Sequence, residues 1–196
     1  MAGAIAFFVL DVPALSDADA TVLLGVARAA VRAAATGTPH PRLPVDLPPR
    51  LCASAGAFVS LHRGNELRGC VGSVAPAADS LAALVGRMAA AASRDPRFPP
   101  LTAAELEDLC LEVSVLSRAR RIAVEQLDPR RHGILLRLDS ARAVLLPQVA
   151  QRYGWDRETL LAHLCVKAGL PAAAWLDPAT VLRAFTVATI EGPYRE

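Results

Sequence analysis

Leu67-Arg68-Gly69-Cys70-Val71-Gly72-Ser73 is a β-type run interrupted twice by glycine. Glycine weakens a strand, so two of them three residues apart point to a bulge, or to a backbone that another group approaches closely. Alternation along a strand places Arg68, Cys70 and Gly72 on one face and Leu67 and Val71 on the other, so a cation and a thiol are expected on one surface. A nearby cation favours the thiolate, which is the nucleophilic form. Two readings of Cys70 stand side by side: a nucleophile or redox sensor, or a small hydrophobic side chain next to a salt-bridged Arg68.

Working outward, Ala57 to His62 and Leu67 to Val74 flank Arg63-Gly64-Asn65-Glu66, where Gly64 and Asn65 tolerate positive φ, and this predicts a hairpin. Asp79 is expected to cap a helix carrying Leu81, Leu84, Val85 and Met88 at helical spacing, which must stop before Pro96. Thr102 and Glu105 form a capping-box pattern for a short helix. Leu111, Val113 and Val115 then alternate with Glu112 and Ser114, the period of a half-buried strand with one polar face. On the N-terminal side, Ser16 and Asp19 open a helix to about Ala35 that Gly37 ends, and the proline-rich stretch 39–49 is a connector. Ala4 to Leu10 reads as an opening strand.

From Ser117 the texture changes to a basic connector, followed by a predicted hairpin of His132 to Leu138 and Arg142 to Leu146 around Asp139 and Ser140. Pro147 opens a short helix. Asp156 caps a longer one with Leu160, Leu161, Leu164 and Cys165 facing inward, stopped by Gly169-Leu170-Pro171. Arg183 to Ile190 is a final strand expected to rejoin the first sheet. The reading is therefore a larger lobe of residues 1–117 plus 182–196 and a smaller lobe of 118–181.

The 196 residues suffice for one core, or one core with a satellite, and the 53% hydrophobic content is inflated by alanine. No apolar run approaches the roughly 18 residues of a membrane span, and Ala4 to Leu10 ends at Asp11 without a basic flank, so a cytoplasmic chain is expected. The 21 basic residues nearly balance the 19 acidic ones, which disfavours nucleic acid. Cys52, Cys70, Cys110 and Cys165 form no CxxC pair, and His40, His62, His132 and His163 are scattered, so neither disulfides nor a metal site is expected. Lys167 is the only lysine. Keeping Lys where every other base is Arg suggests a functional ammonium or a specific tether, against the plainer role of a cation at a helix C-terminus.

Several segments together resemble the AMMECR domain family: LRGCVG at 67–72, DPRFPPL at 95–101, EVSVL at 112–116, LPQVA at 146–150 and KAGLP at 167–171, with Trp175 also in its expected place. The resemblance runs from about Ala57 to Ile190. It implies a mixed α/β fold of α+β type, in which two unequal lobes, each an antiparallel sheet flanked by helices, enclose a cleft, and it treats residues 1–196 as one domain of this type. It also implies possible partners, since prokaryotic relatives are linked with a radical S-adenosylmethionine protein and a Memo-type metalloprotein. No reaction is securely assigned to the domain, and no cofactor of its own is expected.

Arg68 and Cys70 carry over as the cleft pair, with Gly69 and Gly72 as positions of backbone access and Asp95, Arg97 and Phe98 as a supporting loop. The prolines of that loop favour bracing over ligand contact. Strand pairing is expected to bring Glu112 and Ser114 beside the Arg68 and Cys70 face, making Glu112 either the partner of Arg68 or a proton carrier. Gln148, following Pro147 at a helix start, meets a ligand across the cleft or caps the turn. The leading functional expectation is a catalytic or substrate-handling protein with Cys70 as nucleophile or acceptor and Arg68 binding an anionic group of a small-molecule or protein ligand. The second is a scaffold that docks a protein in the same cleft without chemistry.

Overall fold

A computed structural model describes residues 15–74 and 79–195. The opening strand expected at Ala4 to Leu10 lies outside the described residues. The described residues form two compact units, one spanning Ala119–Val187 and the other residues 15–118 and 188–195. Among the described residues no helix is long and apolar enough to cross a membrane.

In the larger unit, α1 (Asp17–Thr36) starts at the capping box of Ser16 and Asp19 and ends on Gly37, whose φ of 71° is the left-handed geometry that glycine adopts without cost. A short α2 (Pro49–Cys52) leads to the hairpin of β1 (Gly56–Arg63) and β2 (Glu66–Ser73). Helix α3 (Leu81–Ala92) is capped by Ser80, one residue after the expected Asp79: the Ser80 hydroxyl accepts from the amide of Ala83, while Asp79 is ion-paired with Arg87. A 3-10 turn (Ala103–Asp108) precedes β3 (Leu109–Leu116). The smaller unit holds β4 (Arg120–Arg121), β5 (Gly133–Leu138), β6 (Ala141–Leu145), α4 (Pro147–Tyr153), α5 (Arg157–Lys167) and β7 (Val181–Phe185). Last comes β8 (Val187–Pro193).

Two four-stranded sheets result, ordered β2-β1-β3-β8 and β4-β7-β5-β6. The C-terminal run expected as one strand, with the chain returning to the larger lobe at Leu182, is thus two strands in two sheets. Val181–Phe185 pairs antiparallel with β5 and β4, and the chain changes sheet around Thr186. Both halves carry β-branched residues, so composition does not mark the change.

In the larger sheet Val59, Leu61, Leu111 and Val113 face α1 and α3, where Leu23, Ala27, Leu84, Val85 and Ala89 complete the core. Helix α3 comes close to the sheet at Gly69. A Cβ there would stand 2.2 Å from the carbonyl oxygen of Ala92 at the end of α3. At Gly72 a Cβ would stand 2.2 Å from the ring of Phe58, its cross-strand partner; Gly133 and Phe185 repeat this pairing in the smaller sheet. Both glycines of the 67–73 run therefore make room for the protein's own groups. In the smaller unit, Leu160, Leu161, Leu164 and Cys165 of α5 pack with Ile134, Leu136, Leu182 and Ala184 of the sheet.

Because the group facing Gly69 is backbone and cannot swing aside, Gly69→Ala should cost on the order of 3 kcal/mol in urea denaturation. Gly25, exposed within α1 with nothing within 4 Å of an added Cβ, provides the opposite case. Gly25→Ala should raise stability by about 1 kcal/mol through helix propensity. Equal effects of the two changes would refute the packing account of Gly69.

Candidate functional site

Cys70 lies on β2, the edge strand of the larger sheet, and its main-chain groups that turn away from β1 need partners. They find them in one loop. The Cys70 amide donates to Asp95 Oδ2 at 2.9 Å, and the Cys70 carbonyl accepts from Arg97 Nη2 at 3.1 Å. Asp95 in turn accepts from the Arg97 amide (3.1 Å) and from its Nε (3.0 Å) and Nη2 (2.6 Å). The guanidinium beside it holds the Asp95 carboxyl well below the usual carboxylate range, against the opposing effect of burial. This loop follows directly from α3, whose last carbonyl rests on Gly69, and it is closed by the Leu101 amide donating to the Ser93 carbonyl. Phe98 lies beneath the Arg97 guanidinium, 5.6 Å from the ring centre.

Sheet register defines the face that carries the thiol. Cys70 stands opposite Ser60 of β1, and Ser60 stands opposite Glu112 of β3. The neighbouring row is Gly72, Phe58 and Ser114. Ser60 is buried, and its hydroxyl donates to Cys70 Sγ at 3.3 Å. Ser114, also buried, donates to Glu112 Oε1 at 3.2 Å. Burial pushes the Glu112 carboxyl up, the charge of His62 and the Ser114 hydroxyl pull it down, and Glu191 pushes it up again.

Arg68 departs from the expected arrangement. Leu61 pairs with Gly69 and His62 with Leu67, so Arg68 is the extra residue of a bulge. The inserted residue breaks the period-two count that was expected to place Arg68 beside Cys70. Its side chain meets Glu105 rather than Glu112, with Nε to Oε1 at 2.7 Å and Nη2 to Oε2 at 3.2 Å. Glu112 sits on β3, with β1 between it and β2, roughly 10 Å away at the usual strand spacing. The cation whose charge interacts with Cys70 is Arg97; its own pKa is raised first by Asp95, against burial, and last by Cys70.

Gly69 and Gly72 adjoin the thiol, with their space filled by Ala92 and Phe58. Gln148 and Lys167 belong to the smaller unit. Gln148 is half-buried in the first turn of α4. Lys167 ends α5, and its Nζ donates to the Val144 carbonyl of β6 at 2.9 Å, a tether within that unit. The residues that the motif reading passed over are Ser60 and Glu105. Ser60 would have followed from the hairpin register, had the bulge been counted, and Glu105 was assigned only its cap on Thr102, which it also makes at 2.9 Å.

Comparisons with known proteins agree with one another. The family model described as AMMECR1 matches residues 24–190. A protein of Methanothermobacter thermautotrophicus is 38% identical over 173 residues, 85% of this chain and 90% of its own length. One of Pyrococcus furiosus is 38% identical over 162 residues, 77% of each chain. The crystal structure of an uncharacterized protein from Pyrococcus horikoshii superposes with a TM-score of 0.81 at 36% identity, covering 88% of this chain and 90% of that one.

The Arg68 guanidinium and the Thr102 backbone and hydroxyl bring the Glu105 carboxyl down to about 2, against the opposing effect of burial. A carboxyl depressed by folding adds stability above its unfolded pKa, near 4.5, and that contribution is lost as pH falls towards 2. Urea midpoints measured between pH 6 and pH 2.5 should therefore fall less steeply in Glu105→Gln than in the unmodified protein. Parallel pH profiles for the two would show that this pair has no weight in stability.

Proposed function

Since this chain belongs to the AMMECR1 family, we propose that it is a catalytic or substrate-handling member whose working surface is the Cys70 face of the larger sheet. Cys70 is the nucleophile or acceptor. Arg97 supplies the cation for an anionic group, in place of Arg68, because the Arg68 side chain is largely covered in its pair with Glu105. The Arg97 side chain is 58% exposed over a buried Asp95, so its charge is offered outward. Glu112, half-buried and shifted towards protonation, is the proton carrier of this face. In a covalent step the Cys70 sulfur gives an electron pair to an electrophilic carbon, the leaving group departs with the pair of the broken bond, and the thiol proton passes to water.

The observation that carries this reading is the polar row of Cys70, Ser60 and Glu112 across three adjacent strands, on a face where the alternative would be plain packing. A radical S-adenosylmethionine protein and a Memo-type protein are the proposed partners. They rest on the family resemblance alone.

Alkylation of the native protein, read residue by residue by mass spectrometry across pH, should label Cys70 well ahead of Cys165. Cys165 has no exposed surface, and burial pushes its thiol up. Cys70→Ala should cost about 1 kcal/mol or less in melting experiments, since Cys70 is only half-buried. Labelling of Cys70 no faster than that of Cys165 would overturn the nucleophile reading and leave a docking scaffold in its place.

A further inference from the structure

The geometry points to Ser60 as the positioning residue of this site: its hydroxyl proton holds the Cys70 sulfur in place and favours it as the thiolate. The inference rests on the reading of Cys70 given above and adds a residue to it. Ser60 sits in the central row of the sheet, directly opposite Cys70, with 6% of its surface exposed. A hydroxyl has one proton to donate, and here it goes to Cys70 Sγ at 3.3 Å. The Cys70 main chain is held by Asp95 and Arg97, so the backbone and the sulfur are fixed by different residues. An O–H donor becomes a charge-assisted partner once the thiol loses its proton to water, so the bond gains strength in the ionised state.

The other charged groups around the row act in known directions. The charge of Arg97 interacts with Cys70, and that of His62 acts on Glu112. Glu191 also acts on Glu112, and the Asp95 charge is offset by Arg97. None of these changes when Ser60 is altered. Ser60 can therefore be tested alone.

Thiolate absorbance near 240 nm would be followed against pH in Ser60→Ala and in the unmodified protein, each minus its own Cys70→Ala counterpart, which isolates the Cys70 signal without requiring reagent access. The midpoint in Ser60→Ala should lie about one pH unit higher, with Cys70 alkylation about tenfold slower below that midpoint. Ser60→Thr and Ser60→Val, which share a shape and differ by the hydroxyl, guard against a packing defect in the alanine variant. The midpoint should stay in place for Thr and rise for Val. An unmoved midpoint in both Ala and Val overturns the role of Ser60 whatever the reactivity of Cys70. A midpoint that moves while Cys70 of the unmodified protein labels no faster than Cys165 supports Ser60 and overturns the nucleophile reading instead.

Discussion

The open side of β2 is held by one carboxylate and one guanidinium, and much of the larger unit is arranged around that grip. An edge strand leaves amide and carbonyl groups facing outward, where they template further pairing unless something covers them. Asp95 and Arg97 cover those of Cys70 as a third strand would, but with side chains. For Asp95 to reach, α3 must end against the sheet, and a glycine at 69 is what lets the Ala92 carbonyl come so close. The prolines at 96, 99 and 100 then limit the conformations of the loop, which lowers the entropy cost of holding it there. Bracing, the role favoured for this loop on its prolines, is what its hydrogen bonds do, with the brace applied to the thiol's own backbone.

Local structure was legible where one or two side chains decide it. The capping pairs Ser16–Asp19 and Thr102–Glu105, the αL position at Gly37 and both predicted hairpins depend on residues within a few positions of each other. The Ser80 cap was missed by a single position, because Asp and Ser are comparable N-caps and adjacent in the sequence. Sheet membership is different in kind. Nothing between Val181 and Pro193 says that its first half pairs with β5 and its second half joins β3, since that outcome is set by partners more than forty residues away in one sheet and, at Cys110 and Gly192, 82 residues apart in the other.

The positions of the candidate residues on the sheet were legible, and their pairings were not. Cys70, Asp95, Arg97, Glu112 and Ser114 lie in one unit, on or against one sheet. Arg68 was matched to the wrong acid because alternation was carried through a bulge that the two glycines had signalled but not located. The glycines themselves were read as access points for a ligand, whereas Ala92 and Phe58 occupy that space. Counting back from the turn at Gly64-Asn65 without the bulge would have set Gly69 against Ser60 and left Cys70 opposite an apolar neighbour. One inserted residue exchanges the two faces.

The two ion pairs flanking the thiol differ in which partner is exposed, and this difference decides what the face attracts. Arg68 and Glu105 are both largely covered, with side-chain exposures of 15% and 21%, so the pair projects little field. In the other pair the anion is 3% exposed and the cation 58%, so an incoming group meets positive charge first. Under the proposed reading an anion held there adds negative potential near Glu112, whose carboxyl burial already pushes up. That added potential favours the protonated acid further. Anion binding and proton uptake at Glu112 are then linked in sign, with a magnitude limited by the width of two strands and by screening between Arg97 and Glu112.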